Sequence, residues 1–213
     1  MQRRTFCGRT IRGRWIHGPG AGYTLLDALM VVAILGFVAA TIYPPFVQTT
    51  SSLRLKMAAQ QIAGAMRLAR AYAIRHSANV AVKFRVGDDG AVTYALYRDG
   101  DGDGVRSNDL ESGKDPEVWP PRRLHYIGGS VRVGIPPGRP PRHPGNPDRR
   151  LDQLDDPIKF NSSDLASFSP LGTATPGSIY LSDAHRHLMA VRIYHVSGKV
   201  TILAYDETSE TWQ

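Results

Sequence analysis

The sequence predicts an α+β fold, a long N-terminal helix packed on antiparallel β-sheet. Three observations predict it. Residues 23–43 form an apolar run of twenty-one with a single charge, Asp27. From residue 46 to 79, apolar side chains recur at three- and four-residue spacing. From Val80 onward the period switches to two, and only strand-like runs follow. A long helix followed by strands alone is an α+β layout, with one sheet or two small ones against the helix.

At about 1.5 Å per residue, a helix over the apolar run spans roughly 30 Å, the thickness of a bilayer's hydrocarbon core. Arg3, Arg4, Arg9, Arg12 and Arg14 precede it with no acid among them, a bias that keeps the N-terminus cytoplasmic and sends the remainder across. A secretory signal has an apolar core of about 7–15 residues ahead of a small-x-small cleavage site. This run is longer, and Ala39-Ala40-Thr41 inside it makes a poor site. A plain membrane anchor accounts for the hydrophobicity but not for Asp27, since acids in such segments are costly and usually have a designated partner.

The order Gly22, Tyr23, Thr24-Leu25-Leu26, Asp27, then Ala28-Leu29-Met30-Val31-Val32-Ala33-Ile34-Leu35-Gly36 resembles the cleavage and methylation motif of type IV prepilins. The resemblance implies that a prepilin peptidase cuts between Gly22 and Tyr23 and methylates the new terminus at Tyr23. It also makes Asp27 the fifth mature residue, which in that family pairs with the free amine of a neighbouring subunit during assembly. The family usually has glutamate there, so Asp27 is one methylene shorter. The leader of 22 residues is also long for the class. Pro44 stands where many members carry a helix-kinking proline. Pro45 directly after it predicts a harder break, with Thr49-Thr50-Ser51-Ser52 capping a restarted helix. The expected organisation is a leader at 1–22, a transmembrane and assembly helix at 23–45, an amphipathic half at 46–79 and a β-rich domain at 80–213.

Processing changes what the composition means. The whole chain carries a net charge of +7, but loss of the leader removes five arginines and leaves +2. Most of the basic excess that would suggest nucleic acid or anionic lipid is therefore in the leader. Cys7, the only cysteine, lies there too, so the mature chain has no disulfide.

In the second helical half, Leu53, Leu55, Ala58, Ala59, Ile62, Ala65, Met66, Ala69, Ala73 and Ile74 form the expected packing stripe. Lys56, Arg67, Arg70 and Arg75 fall between them as a solvated face or a subunit contact. Val80, Val82, Phe84 and Val86 then alternate with polar residues up to a Gly87-Asp88-Asp89-Gly90 turn, and residues 91–97 return as the other arm of a hairpin. Further strands are expected at 123–127, 131–135, 158–161, 178–181, 188–196 and 199–205, the last two joined at Ser197-Gly198. The stretch 69–76, Phe168-Ser169-Pro170-Leu171-Gly172, Gly177-Ser178-Ile179-Tyr180-Leu181 and 191–200 resemble the H-type pseudopilin domain. That group includes minor pseudopilins of type II secretion and related minor pilins of type IV pili.

Two insertions stand out, at 98–116 and 136–150. In the first, Asp99, Asp101 and Asp103 alternate with glycines, and Asp109 and Glu111 follow. Alternate carboxylates on a turn are how a hard cation gathers oxygen ligands, so calcium is one reading of this loop. An EF-hand, however, would close at Leu110 rather than Glu111, and Asp-Gly repeats form turns without a metal. The second has six prolines in fifteen residues and the arginines Arg139, Arg142, Arg149 and Arg150, for a net of +3. It reads as an exposed, semi-extended loop unable to form a ladder, either solvated or a contact for nucleic acid or an acidic partner.

No catalytic constellation is legible: the serines lack a Gly-x-Ser-x-Gly elbow, and His185 and His187 lack a third ligand. The expected function is therefore structural, not enzymatic. It is that of a minor pseudopilin, single-pass in a bacterial inner membrane with its C-terminal domain in the periplasm, assembled with other pseudopilins on an inner-membrane platform for type II secretion. The alternative is a minor type IV pilin for DNA uptake or pilus priming. Some minor pilins that this chain resembles bind DNA through Gly-Arg-x-Arg, but the matching place here reads Gly198-Lys199-Val200-Thr201, so nucleic acid is not an expected partner.

Overall fold

The position of the core follows from the alanines of the first helix, whose small side chains let strands approach its axis. The computed structural model describes residues 23–183 and 187–213, with side chains at 40–49 outside the description. It comprises two compact units, divided between Pro44 and Pro45. Helix α1 (Leu25–His76) begins in the first and ends in the second. Its backbone stays helical through Pro44 and Pro45, so the expected break and restart are not present. Two prolines withdraw two amide donors from a 52-residue ladder, and the turns on either side keep their own bonds.

In the first unit, residues 23–39 are all exposed. Among the described residues no helix is long and apolar enough to cross a membrane. The expected span 23–43 runs past Ala39 into positions whose side chains are outside the description, and the expected leader 1–22 lies wholly outside it.

In the second unit, Leu55, Ala58, Ala59, Ile62, Met66, Ala69 and Ala73 of α1 are at most 1% exposed. Leu53 and Ile74, expected on the same stripe, are 50% and 47% exposed. At about 100° per residue Leu53 falls well off the arc that the others share, whereas Ile74 lies at its edge, close to the direction of the buried Ala63. Two of the helix arginines are not merely solvated: Arg67 Nη2 donates to the Val200 carbonyl at 3.2 Å and Arg70 Nε to that of Gly172 at 2.9 Å.

Strands β1 (Val80–Val86), β2 (Val92–Arg98) and β3 (Glu117–Arg123) are followed by β4 (Arg132–Val133), β5 (Arg142–His143) and β6 (Asn146–Arg150). Then come β7 (Ile158–Phe160), β8 (Leu165–Phe168), β9 (Gly177–Ser182), β10 (Leu188–Ile193), β11 (Val200–Asp206) and β12 (Thr211–Trp212). They make one sheet in the order β3-β2-β1-β8, a second in the order β12-β11-β10-β9-β4 with β7 also on β9, and a separate β5–β6 hairpin. All pairings are antiparallel. One core joins the α1 stripe to Val82, Phe84 and Leu96 of the first sheet and to Ile179, Leu181, Val191 and Ile193 of the second.

Several strands differ from expectation. The strand expected at 123–127 instead ends at Arg123 and starts at Glu117. It takes Pro120 and Pro121 because it is an edge strand, where a missing N–H faces outward. The runs 131–135 and 188–196 shorten to Arg132–Val133 and Leu188–Ile193. Strands β8 and β12 and the short helix α2 (Ser107–Ser112) were not legible. The proline-rich insertion, expected to form no ladder, pairs as β5–β6. Four of its prolines precede β5, Pro144 is in the turn and Pro147 is inside β6. Its arginines supply further bonds: Arg142 Nη1 donates to the Pro147 carbonyl at 2.8 Å and Arg150 Nη1 to that of Pro140 at 2.7 Å.

Candidate functional sites

The N-terminal motif forms a reciprocal cap at the start of α1. Thr24 precedes the first helical residue. Its N–H and its hydroxyl both donate to Asp27 Oδ2, at 3.0 and 2.9 Å, and the Asp27 N–H donates back to Thr24 Oγ1 at 3.2 Å. This is a capping box with aspartate in place of the usual glutamate. The Thr-x-x-Asp spacing is visible in the sequence, and the cap gives Asp27 a second role beside the expected assembly charge. Tyr23 is 96% exposed; Gly22, the other expected processing residue, lies outside the described residues.

In the acidic loop the structure brings together three of the five expected ligands. Carboxylate oxygens of Asp99, Asp101 and Asp103 lie within 4.8 Å of one another. Asp109 and Glu111 do not join them: Asp109 is buried, 3.5 Å from Lys114 Nζ, and Glu111 is exposed. Asp99 is the centre of the turn. Its carboxylate accepts from Gly102 N at 2.7 Å, Gly104 N at 3.0 Å and Asn79 Nδ2 at 2.9 Å. Burial pushes its carboxyl up, but the bond from Asn79 and those from the loop amides together hold it below the ordinary aspartate value. Asp103 is raised, by desolvation first and then by its contact with Asp101, against the pull of Arg106. The residue that sequence reasoning missed is Asp115. It is 1% exposed, and it accepts from Gly100 N at 3.0 Å and Arg106 N at 3.1 Å, which closes the loop at its base. The three oxygens are a donor set suited to a hard cation, and the same loop is satisfied internally by N–H donors.

The arginine insertion is fastened rather than free. Arg139, Arg142 and Arg150 converge on Glu210, with Arg139 Nη1 2.8 Å from Oε1, Arg142 Nη2 3.1 Å from Oε2 and Arg150 Nη2 2.7 Å from Oε2. The hydrogen bond from Arg150, with the charges of Arg139 and Arg150, holds the Glu210 carboxyl below its ordinary value even against desolvation. Arg142 is held twice more, by its Nη1 donating to the Pro147 carbonyl and by its own carbonyl accepting from Trp212 Nε1 at 2.7 Å. Arg149 alone points elsewhere, 3.9 Å from Asp152. Nothing local in the sequence marks Glu210, sixty residues after Arg150, as their common partner.

His185 lies outside the described residues. His187 Nδ1 lies 2.8 Å from Asp183 Oδ2, which also accepts from Ser51 Oγ at 3.1 Å. The buried carboxylate thus ties the end of β9 to α1.

The family model of the type II transport protein GspH matches residues 58–197, more than half of the chain. The match runs from the buried face of α1 to the turn after β10 and excludes the N-terminal motif. No curated protein and no solved structure matches.

Proposed function

The chain belongs to the family of the type II transport protein GspH, a family of minor pseudopilins, and from that premise we propose that it is a membrane-anchored subunit of a short periplasmic filament serving type II secretion. The observation that carries the proposal is the family match over residues 58–197 following an N-terminal motif that lies outside the match. The two are separate stretches of sequence, and each points to the same class of protein. In this reading residues 23–43 anchor the monomer in the inner membrane with its N-terminus cytoplasmic. The apolar surface that residues 23–39 expose then packs in the filament, Asp27 meets a neighbour's amine, and the β-rich unit faces other subunits in the periplasm. Its partners are a prepilin peptidase, the other pseudopilins and an inner-membrane assembly platform. It has no catalytic role. Calcium at Asp99, Asp101 and Asp103 is the one cofactor the reading admits.

Co-expression with a prepilin peptidase tests it. The chain should shorten by the 22 leader residues and carry an N-methylated Tyr23, and a bulky residue at Gly22 should block the cut. An intact leader beside an active peptidase, seen by mass spectrometry, sinks the proposal. The alternative of a DNA-uptake pilin loses its main support when three of its four arginines are engaged by Glu210.

A further inference from the structure

Strand register sets Lys159 of β7, Ser178 of β9, Arg192 of β10 and Thr201 of β11 in one row across the second sheet. Directly paired residues share a face, and neighbouring strands lie about 4.8 Å apart. The row therefore places two cations two strands apart, with a serine hydroxyl between them. Its face is the outer one. Ala190 and Leu188, which alternate with Arg192 along β10, pack with Tyr180, Leu151 and Trp212 and away from α1.

Arg192 is flanked there by an aromatic ring and a backbone turn. Its Cζ lies 5.2 Å from the ring centroid of Tyr194. On the other side, a Cβ at Gly145, in the turn between β5 and β6, would collide with the guanidinium. Its Nε is buried with no hydrogen-bond partner among the described residues, and so is Thr201 Oγ1, next to it in the row. Buried donors left in that condition are costly and uncommon. Neither Arg192 nor Lys159 has an ion pair among the described residues.

Both cations line a cleft of about 360 Å³ beneath the β5–β6 hairpin, shared with Arg149, Asp152 and Asp156. His143 also lines the cleft. Its Nδ1 accepts from Gly145 N at 3.0 Å, as a neutral imidazole does. Burial first, then the charges of Arg192 and Arg149, hold it below the ordinary histidine value.

We propose that this cleft binds a protein carboxylate, an aspartate or glutamate side chain of a partner chain, held between Lys159 and Arg192 over Ser178. A carboxylate fits because its two oxygens match an arginine fork and a second donor. The unpartnered Nε of Arg192 is the donor that such an oxygen would satisfy once the side chain turns toward it. With Arg149, Lys159 and Arg192 set against Asp152 and Asp156, the cleft has only a small positive excess, which suits one carboxylate and not the run of phosphates on a nucleic-acid strand. The inference adds the chemistry of one contact to the filament reading without depending on it.

The test uses the full chain in detergent micelles and a fluorescent peptide, acetyl-Gly-Glu-Gly-Glu-Gly amide, followed by anisotropy. Saturable binding is expected, with the glutamine counterpart and R192Q each weaker by about ten-fold, the scale of one charged hydrogen bond. K159Q should weaken binding without moving the melting temperature, and it decides the matter if R192Q does not fold. The proposal is overturned by no saturable binding up to about 10 mM, by equal binding of the glutamine peptide, by an unchanged affinity in K159Q, or by a duplex oligonucleotide that binds the same cleft more tightly than the peptide. Because binding is read on single chains, none of these outcomes touches cleavage at Gly22 or filament assembly.

Discussion

Arg150 donates through one nitrogen to both carboxylate oxygens of Glu210, at 2.9 and 2.7 Å. The contact joins the end of β6 to the turn before β12. Glu210 takes up a left-handed backbone there, with φ 52°, a conformation that costs a side-chain-bearing residue unless its surroundings hold it. Three arginines hold it. The six-proline insertion is thereby fixed to the C-terminal strand pair, and its charge is partly spent inside the fold.

Glu210→Gln should release the hairpin. Trypsin should then cut at Arg142 or Arg150 faster than in the parent, while cutting elsewhere is unchanged. The pH dependence follows from the lowered carboxyl. A depressed pKa contributes stability that is full above the unfolded value, about 4.5, and is lost as pH falls through the folded value. The gap in thermal midpoint between parent and variant should thus be present at pH 7 and close in acid. A gap that persists at low pH would assign the effect to the backbone instead.

Duplex DNA should bind weakly or not at all at physiological salt. Four free arginines contacting four phosphates would give a log–log salt slope of about −3.6, but three of the four already have Glu210. Low-micromolar binding with a slope that shrinks when Arg139, Arg142, Arg149 and Arg150 become alanine would restore the uptake reading.

What was legible in the sequence was what repeats. The α1 stripe and the β1–β2 hairpin follow from period and turn chemistry, because each is fixed by neighbours a few residues away. Glu210 and Asp115 were not legible, since each acts through partners chosen by the tertiary fold. Strand β3 was hidden by Pro120 and Pro121, which argue against a strand unless it is known to be an edge. The Lys159–Ser178–Arg192–Thr201 row needs the register of four strands, and β7 is separated from β9 by a long connection that contains β8. Leu53 fits three- and four-residue spacing to its neighbours, yet the angle accumulated around the helix carries it off the buried arc, and Ile74 sits at that arc's edge near the end of α1.

Asp115→Ala should destabilise the chain by about 1–3 kcal/mol, because it strands the amides of Gly100 and Arg106 at a nearly buried site. Thermal or denaturant unfolding measures it. Calcium is expected to act differently. Millimolar calcium should raise the thermal midpoint, since a ligand that prefers the native state stabilises it and a cation relieves the repulsion among Asp99, Asp101 and Asp103. Asp101→Ala should abolish that increment, while Asp115→Ala should lower the midpoint with and without the ion. Superimposable melting curves in calcium and in chelator reduce the loop to a turn.

The last prediction separates two roles for Asp27. Its carboxylate is engaged by Thr24 through both N–H and hydroxyl, so in a filament the cap and a neighbour's amine compete for the same oxygens. A substitution at Asp27 alone removes both interactions and cannot tell them apart. Thr24→Val removes the hydroxyl but leaves the charge, whereas Asp27→Asn removes the charge but keeps an acceptor for Thr24. All of these variants should still be cut after Gly22 and methylated. If the charge drives assembly, Asp27→Asn and Asp27→Ala should both reduce co-purification with partner pseudopilins, and Thr24→Val should match the parent or exceed it, because its carboxylate is freer to meet an amine. If Thr24→Val instead fails as badly as Asp27→Ala while Asp27→Asn assembles, the acid serves the start of the helix and the pairing role is wrong.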